Sequence, residues 1–168
     1  MQNRWSTEGS EGILALESIP FTVCSSLTTP TAGTPWYFRY YNKVQVTLTG
    51  CKFYAQAITT PGVYEVGFYG FATSGSISKL SGGNGSVNVT AQGFQTISFT
   101  TPITLAAATD YHVGAVLQGG SYNIIAKSSI LNYTPINFYG ASSQSALPAT
   151  ESSRNAASYI PYLEFITA

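Results

Sequence analysis

Apolar and polar residues alternate along most of this chain with a period of two, and Gly, Pro and Asn punctuate the alternation. That pattern predicts strands joined by turns. Trp36-Tyr37-Phe38-Arg39-Tyr40-Tyr41 leads into Val44-Gln45-Val46-Thr47-Leu48-Thr49, where Val44, Val46 and Leu48 share one face. After Gly50 the apolar parity switches, and Cys51, Phe53, Ala55 and Ala57 come into step. A one-residue phase change at a glycine inside a strand predicts a bulge, which bends the strand over the edge of the core.

Pro61-Gly62 marks a turn, and Val63 to Tyr69 follows with Tyr64, Val66 and Phe68 inward, so Glu65 and Tyr69 are expected outward. Ser- and Gly-rich segments bracket a short strand around Ile77–Leu80 and predict edge and loop there. Phe94–Phe99 alternates again, Pro102–Leu105 runs into a turn at Ala106–Asp110, and Tyr111, Val113, Ala115 and Leu117 form the core face of the next strand. Gly119-Gly120 then predicts a hairpin that brings Tyr122–Ala126 back against it, and Ile136–Tyr139 reads as another short strand. Residues 140–158 are too long for an ordinary hairpin loop. Tyr159–Ile166 supplies a final strand, with Pro161 at an edge or bulge.

Short strands at even spacing with no amphipathic helix predict an all-β fold, an antiparallel two-sheet jelly-roll sandwich, over residues 36–168. The lead, residues 1–35, carries Pro20, Pro30 and Pro35. It reads equally as an N-terminal arm docking elsewhere through Trp5, Ile13 and Leu14, or as the first strand of its own sandwich.

Composition narrows the function. Only 14 of the 168 residues are charged, seven of each sign, while Tyr numbers 12, Phe 9 and Trp 2. Charged residues make up roughly 25% of an average soluble domain, so hydroxyls and amides must wet this surface. Zero net charge without a basic cluster points away from nucleic acid. The first eight residues lack a signal-peptide apolar region, and no apolar run approaches the roughly 18 residues of a membrane span. Cys24 and Cys51 fit no zinc spacing; they read as two buried thiols or as one cross-strand disulfide.

Catalytic chemistry finds little to build on. The single histidine, His112, shares its strand face with Gly114 and Val116 and has no G-x-S-x-G partner. It reads as an outward-facing or hydrogen-bonded structural residue. Glu65, Asp110, Glu151 and Glu164 are the carboxylates of the body, and no pair among them stands out as the converging acids of glycoside hydrolysis. No metal-ligand cluster or phosphate loop is present in the sequence, so no cofactor or metal is expected. Surface recognition remains, and Tyr122, Tyr133 and Tyr139, near turns, are its candidate contacts for a receptor or carbohydrate. Cross-strand packing is the competing role for each.

The run from Trp36 to Ala126 carries Val44-Gln45-Val46-Thr47-Leu48-Thr49-Gly50-Cys51-Lys52-Phe53-Tyr54, Val63-Tyr64-Glu65-Val66-Gly67-Phe68-Tyr69, Thr101-Pro102-Ile103-Thr104-Leu105 and Asp110-Tyr111-His112-Val113-Gly114-Ala115-Val116. In these strand motifs, over roughly half its length, the chain resembles small jelly-roll modules of tailed-phage virion proteins. The resemblance implies a non-enzymatic structural protein at the virion surface, a capsid decoration or a short head- or tail-fibre attachment. It implies assembly in the host cytoplasm without a signal peptide, other virion proteins as partners, and a homo-oligomer, a trimer. The alternative is a carbohydrate- or receptor-binding module of a tail fibre.

Overall fold

The computed structural model describes residues 16–17, 26–128, 137–157 and 159–168, so Trp5, Ile13, Leu14, Cys24 and Tyr133 lie outside the described residues. In chain order the strands are β1 (Leu16–Glu17), β2 (Ser26–Thr28), β3 (Trp36–Asn42), β4 (Val46–Thr60), β5 (Gly62–Gly70), β6 (Ile77–Ser78), β7 (Gly85–Val89), β8 (Gly93–Leu105), β9 (Thr109–Leu117), β10 (Ser121–Ser128), β11 (Asn137–Tyr139), β12 (Thr150–Glu151), β13 (Asn155–Ala156), β14 (Tyr159–Pro161) and β15 (Glu164–Thr167). The first sheet runs β1-β15-β4-β10-β14, with β8 paired to β4 and β2 paired to β10. The second runs β13-β11-β3-β9-β5-β7, and β12 pairs with β6 in a small third ribbon. Neighbouring strands are antiparallel throughout these pairings. The chain is an all-β, two-sheet antiparallel sandwich. Within the lead, β1 pairs with β15 and β2 with β10.

The core lies between the sheets, and period-two alternation fills it: Phe53 and Ile97 from the first sheet meet Phe38, Tyr64, Phe68 and Val113 from the second. Phe68 sits among Tyr40, Phe99, Tyr111 and Phe165, with edge-on or tilted rings 5.3–6.4 Å apart. Quadrupole-complementary geometry of this kind adds to the area term.

Strand β4 changes phase where the glycine predicts it. Leu48 is buried, the register with β8 and with β15 breaks between Leu48 and Gly50, and Cys51, Phe53 and Ala55 are then buried in step. A Cβ on Gly50 would collide with the Ile97 carbonyl oxygen, so close approach of two backbones demands glycine there. A second break was not expected. Ala57 adopts a φ of 50° and is exposed, while Ile58 packs on the core. The pairing with β10 shifts over the same stretch, because Ser121 and Asn123 stand opposite Thr60 and Gln56. Val44 is also outside the core, 49% exposed ahead of β4.

The hairpin expected between β9 and β10 does not form. Gly119 and Gly120, at φ 98° and 84°, turn the chain out of the second sheet, and β10 pairs instead with β4, β2 and β14 of the first. At this crossing the two backbones touch, and a Cβ on Gly62 would collide with the Gly119 carbonyl oxygen. Pro161 ends β14, at the edge of the first sheet, where its missing N–H costs no ladder bond.

Candidate functional site

The outer face of the second sheet is closed. Tyr37, Tyr69, Val116 and Phe138 project from it and pack with Ile77 and Leu147 into a second apolar cluster, outside the main core. Glu65 and Tyr69 face away from the main core as their parity predicts, but at 8% and 0% exposure they are covered rather than open to solvent. Their cover is residues 140–157 together with the segment after β5. Lys79 N–H donates to the Ala149 carbonyl and the Tyr69 hydroxyl to that of Pro148, at 2.8 and 2.6 Å.

The buried carboxylates fasten this cover. Glu65 Oε2 accepts from Leu147 N–H at 2.9 Å and from Gln118 Nε2 at 2.5 Å, while Lys79 Nζ stands 3.8 Å from Oε1 and donates to the Leu147 carbonyl. Glu151 accepts from Ala141 N–H at 3.0 Å and from Ser153 N–H at 2.7 Å. A Cβ on Gly140 would collide with the Glu151 carboxylate, so a side chain there would displace the group that fastens the loop. Carboxylates engaged in this way, Glu151 by two backbone donors and Glu65 by one together with Gln118 and Lys79, are compensated for burial, and they hold a loop rather than aim at a substrate. Desolvation raises the Tyr37 phenol far above its ordinary value, with Tyr69, Glu151 and Glu65 adding to it.

His112 is 0% exposed on this same covered face. Its ring stacks on Phe71 at 4.8 Å and meets Phe138 edge-on at 5.3 Å, while Arg39 lies over Phe71 and Arg154 over Phe138. Burial lowers the Arg154 pKa, whereas the two-pronged hydrogen bond from Arg39 to Asp110, at 2.6 and 2.8 Å, raises that of Arg39. The histidine is a packing residue of the stack, and Asp110 anchors an arginine across the β3–β9 ladder. Among the described residues, no group of three or more His, Cys, Asp and Glu gathers as a metal site.

Among the described residues, the outer face of the first sheet is open along β4 and β8, where Phe94, Thr96 and Ser98 are exposed. Strand parity directs Lys52, Tyr54 and Gln56 of β4 outward, beside Phe94, Thr96 and Ser98 of β8. Tyr54 and Phe94 are directly opposed, with ring centroids 5.1 Å apart and planes at 83°, and Phe94 is 54% exposed. Lys52 and Glu164 pair across β4 and β15 at 4.0 Å, and Thr47 and Thr104 share a hydrogen bond of 2.9 Å. This face is an aromatic pair set in hydroxyls and amides, suited to contact.

Of the candidate contact residues from the sequence, Tyr133 lies outside the described residues and the other two fall elsewhere. Tyr122 is 1% exposed and its phenol is raised by burial, so it is a core residue and offers no face to a ligand. Tyr139 is half-buried and stands edge-on to Trp36 at 5.8 Å. Tyr54 and Phe94 were legible by one signal, since each is an aromatic on the parity opposite to the core residues of its own strand, Phe53 and Ile97.

No protein-family model matches the chain, and no curated protein does. Among solved structures it is similar to the clostridial cysteine protease Cwp84 after propeptide cleavage, with a TM-score of 0.58 and 10% identity over 91% of this chain. A structure of the cysteine protease and lectin-like domains of Cwp84, a surface-layer-associated protein of Clostridium difficile, matches with a TM-score of 0.50 and 11% identity over 89% of this chain. The chain spans 40% and 37% of those two solved chains. At a tenth of positions identical, what the three chains share is a fold.

Proposed function

We propose that the chain is a non-enzymatic structural module of a phage virion surface, a capsid decoration or short fibre-like attachment. In this reading the lead faces the particle, the sandwich is displayed, and three copies assemble. One observation carries the non-catalytic part: Glu65 and Glu151 are buried and engaged by the N–H groups of Leu147, Ala141 and Ser153 and by the Gln118 side chain, and His112 is buried in a ring stack with Phe71 and Phe138. The exposed face offers hydroxyls, amides and an aromatic pair, the surface of a contact module. The virion part is supported by the strand motifs of Trp36–Ala126 and by the scarcity of charge. Quantitative mass spectrometry of purified particles tests it. The chain is expected at fixed stoichiometry, and deletion of residues 1–15 is expected to abolish association while the sandwich keeps its circular dichroism. Particles without the chain sink the reading, and full occupancy by the shortened chain removes the lead from it.

A carbohydrate- or receptor-binding module is the second reading. The opposed Tyr54 and Phe94 favour it, and a similar solved structure includes domains described as lectin-like.

A further inference from the structure

The exposed aromatic pair is part of a longer feature that the pairing register reveals. Leu27 of β2 stands opposite Ile125 of β10, and Tyr54 of β4 stands opposite Phe94 of β8. Because Ile124 is paired with Ala55, antiparallel register sets Ile125 beside Tyr54. Tyr122, Ile124 and Ala126 point into the core, so Ile125 points out. Leu27, Ile125, Tyr54 and Phe94 therefore form one apolar row crossing four strands, with its two ends 47% and 54% exposed. At about 4.8 Å per strand the row is roughly 14 Å long and one residue wide.

Its borders are polar. On one side Thr29, Asn123 and Gln56 line up, with the Thr29 hydroxyl donating to Asn123 Oδ1 at 2.5 Å and Asn123 registered with Gln56. On the other lie Thr96 and Lys52, and Glu164 pairs with that lysine.

Three properties select the occupant. Among the described side chains, the charged residues bordering the strip, Lys52 and Glu164, offset one another, which argues against an anionic or cationic ligand. A stable protein partner needs about 800 Å² from each side, more than a strip one residue wide supplies. Pyranose rings present an apolar C–H face for aromatic stacking and a rim of hydroxyls, and an amide side chain answers hydroxyls with both a donor and an acceptor. We propose that this row binds a neutral oligosaccharide lying across the strands, its rings over Tyr54 and Phe94 and its hydroxyls toward Gln56, Asn123 and Thr96. The proposal rests on the reading of the chain as a non-catalytic contact module, and it holds wherever the module is mounted.

Amide NMR titration of the full chain with neutral hexasaccharides (glucan, mannan and N-acetylglucosamine-linked) and with an acidic one tests the row. At least one neutral sugar is expected to move amides of residues 27–29, 52–56, 93–96 and 123–125, and the acidic one to bind no better. Phe94→Ala should weaken binding at least tenfold, with the same spectrum verifying its fold; Gln56→Ala should weaken it several-fold. Silence from every neutral sugar, shifts mapping to another face, or unchanged affinity in Phe94→Ala overturns the assignment. So does a change of sedimentation mass in Phe94→Ala, which would make the row a contact between copies of this chain. A blank titration rejects the row even when the chain is found on particles. Binding at the row by a chain that particles lack supports the row and sinks the virion reading.

Discussion

Gly50 and Ala57 govern the path of β4, and they do so for opposite reasons. At Gly50 a side chain has no room, because the Ile97 carbonyl oxygen occupies its place. Gly50→Ala is expected to lower unfolding free energy by about 1–3 kcal/mol, the usual cost of overpacking, measured by urea denaturation. At Ala57 the side chain has room but its φ of 50° is left-handed, a region that costs an L-residue about 1 kcal/mol and glycine almost nothing. Ala57→Gly should therefore stabilise the protein, by up to about 1 kcal/mol after the entropy glycine adds to the unfolded chain. A loss of stability in that variant would mean that the exposed methyl group makes a contact the backbone argument ignores. Gly50 was legible in the sequence because the parity of apolar residues flips around it. Ala57 was not, since its apolar side chain continued the apparent alternation of Cys51, Phe53 and Ala55.

Among the larger elements, the segment from Gly140 to Ala157 decides what the second sheet can do. A loop over a sheet face needs apolar contacts and satisfied backbone groups, and Leu147, Glu65 and Glu151 supply them. Leu147→Ala should cost about 2–4 kcal/mol and open this cover first, because the lost volume lies beneath the loop rather than between the sheets. Limited proteolysis should then cut within residues 141–157 while the rest of the chain stays intact; cleavage spread evenly over the chain would show that the cover and the sandwich unfold as one. By contrast, Phe94→Ala removes a larger but exposed side chain and should alter stability by no more than about 0.5 kcal/mol. Strand β9 shows why the cover escaped the sequence. Its alternation placed Val113, Ala115 and Leu117 inward correctly, yet the same alternation labelled His112 and Val116 outward, where Phe71 and Phe138 pack on the histidine and Leu147 packs with the valine, leaving them 0% and 1% exposed.

For the whole molecule, the tyrosines set a limit on alkaline stability. Burial pushes the Tyr40 phenol from 10.0 up to about 12, and it raises Tyr37, Tyr64, Tyr69 and Tyr122 further. A phenol whose folded pKa is raised holds its proton longer folded than unfolded. Its stabilisation is complete below the unfolded value of 10.0 and is lost as pH rises through the folded one. Each such group costs about 1.4 kcal/mol per pH unit across that window, so the protein should unfold cooperatively above about pH 10. Tyrosinate absorbance and circular dichroism should then change together; ionisation of these phenols near 10.0 with an unchanged fold would refute the linkage. Legibility divides at the same scale. Side-chain alternation is a local consequence of the pleat, so the sequence alone determined the strands, most of their inward residues, the bulge at Gly50 and the sandwich class. Parity names two sides of a strand and says nothing of what lies on either, because that depends on contacts between residues far apart in the chain. Only the tertiary structure therefore decided that β10 leaves its expected partner for the other sheet, that Glu65 and His112 are roofed over, and that Leu27, Ile125, Tyr54 and Phe94 share one open row.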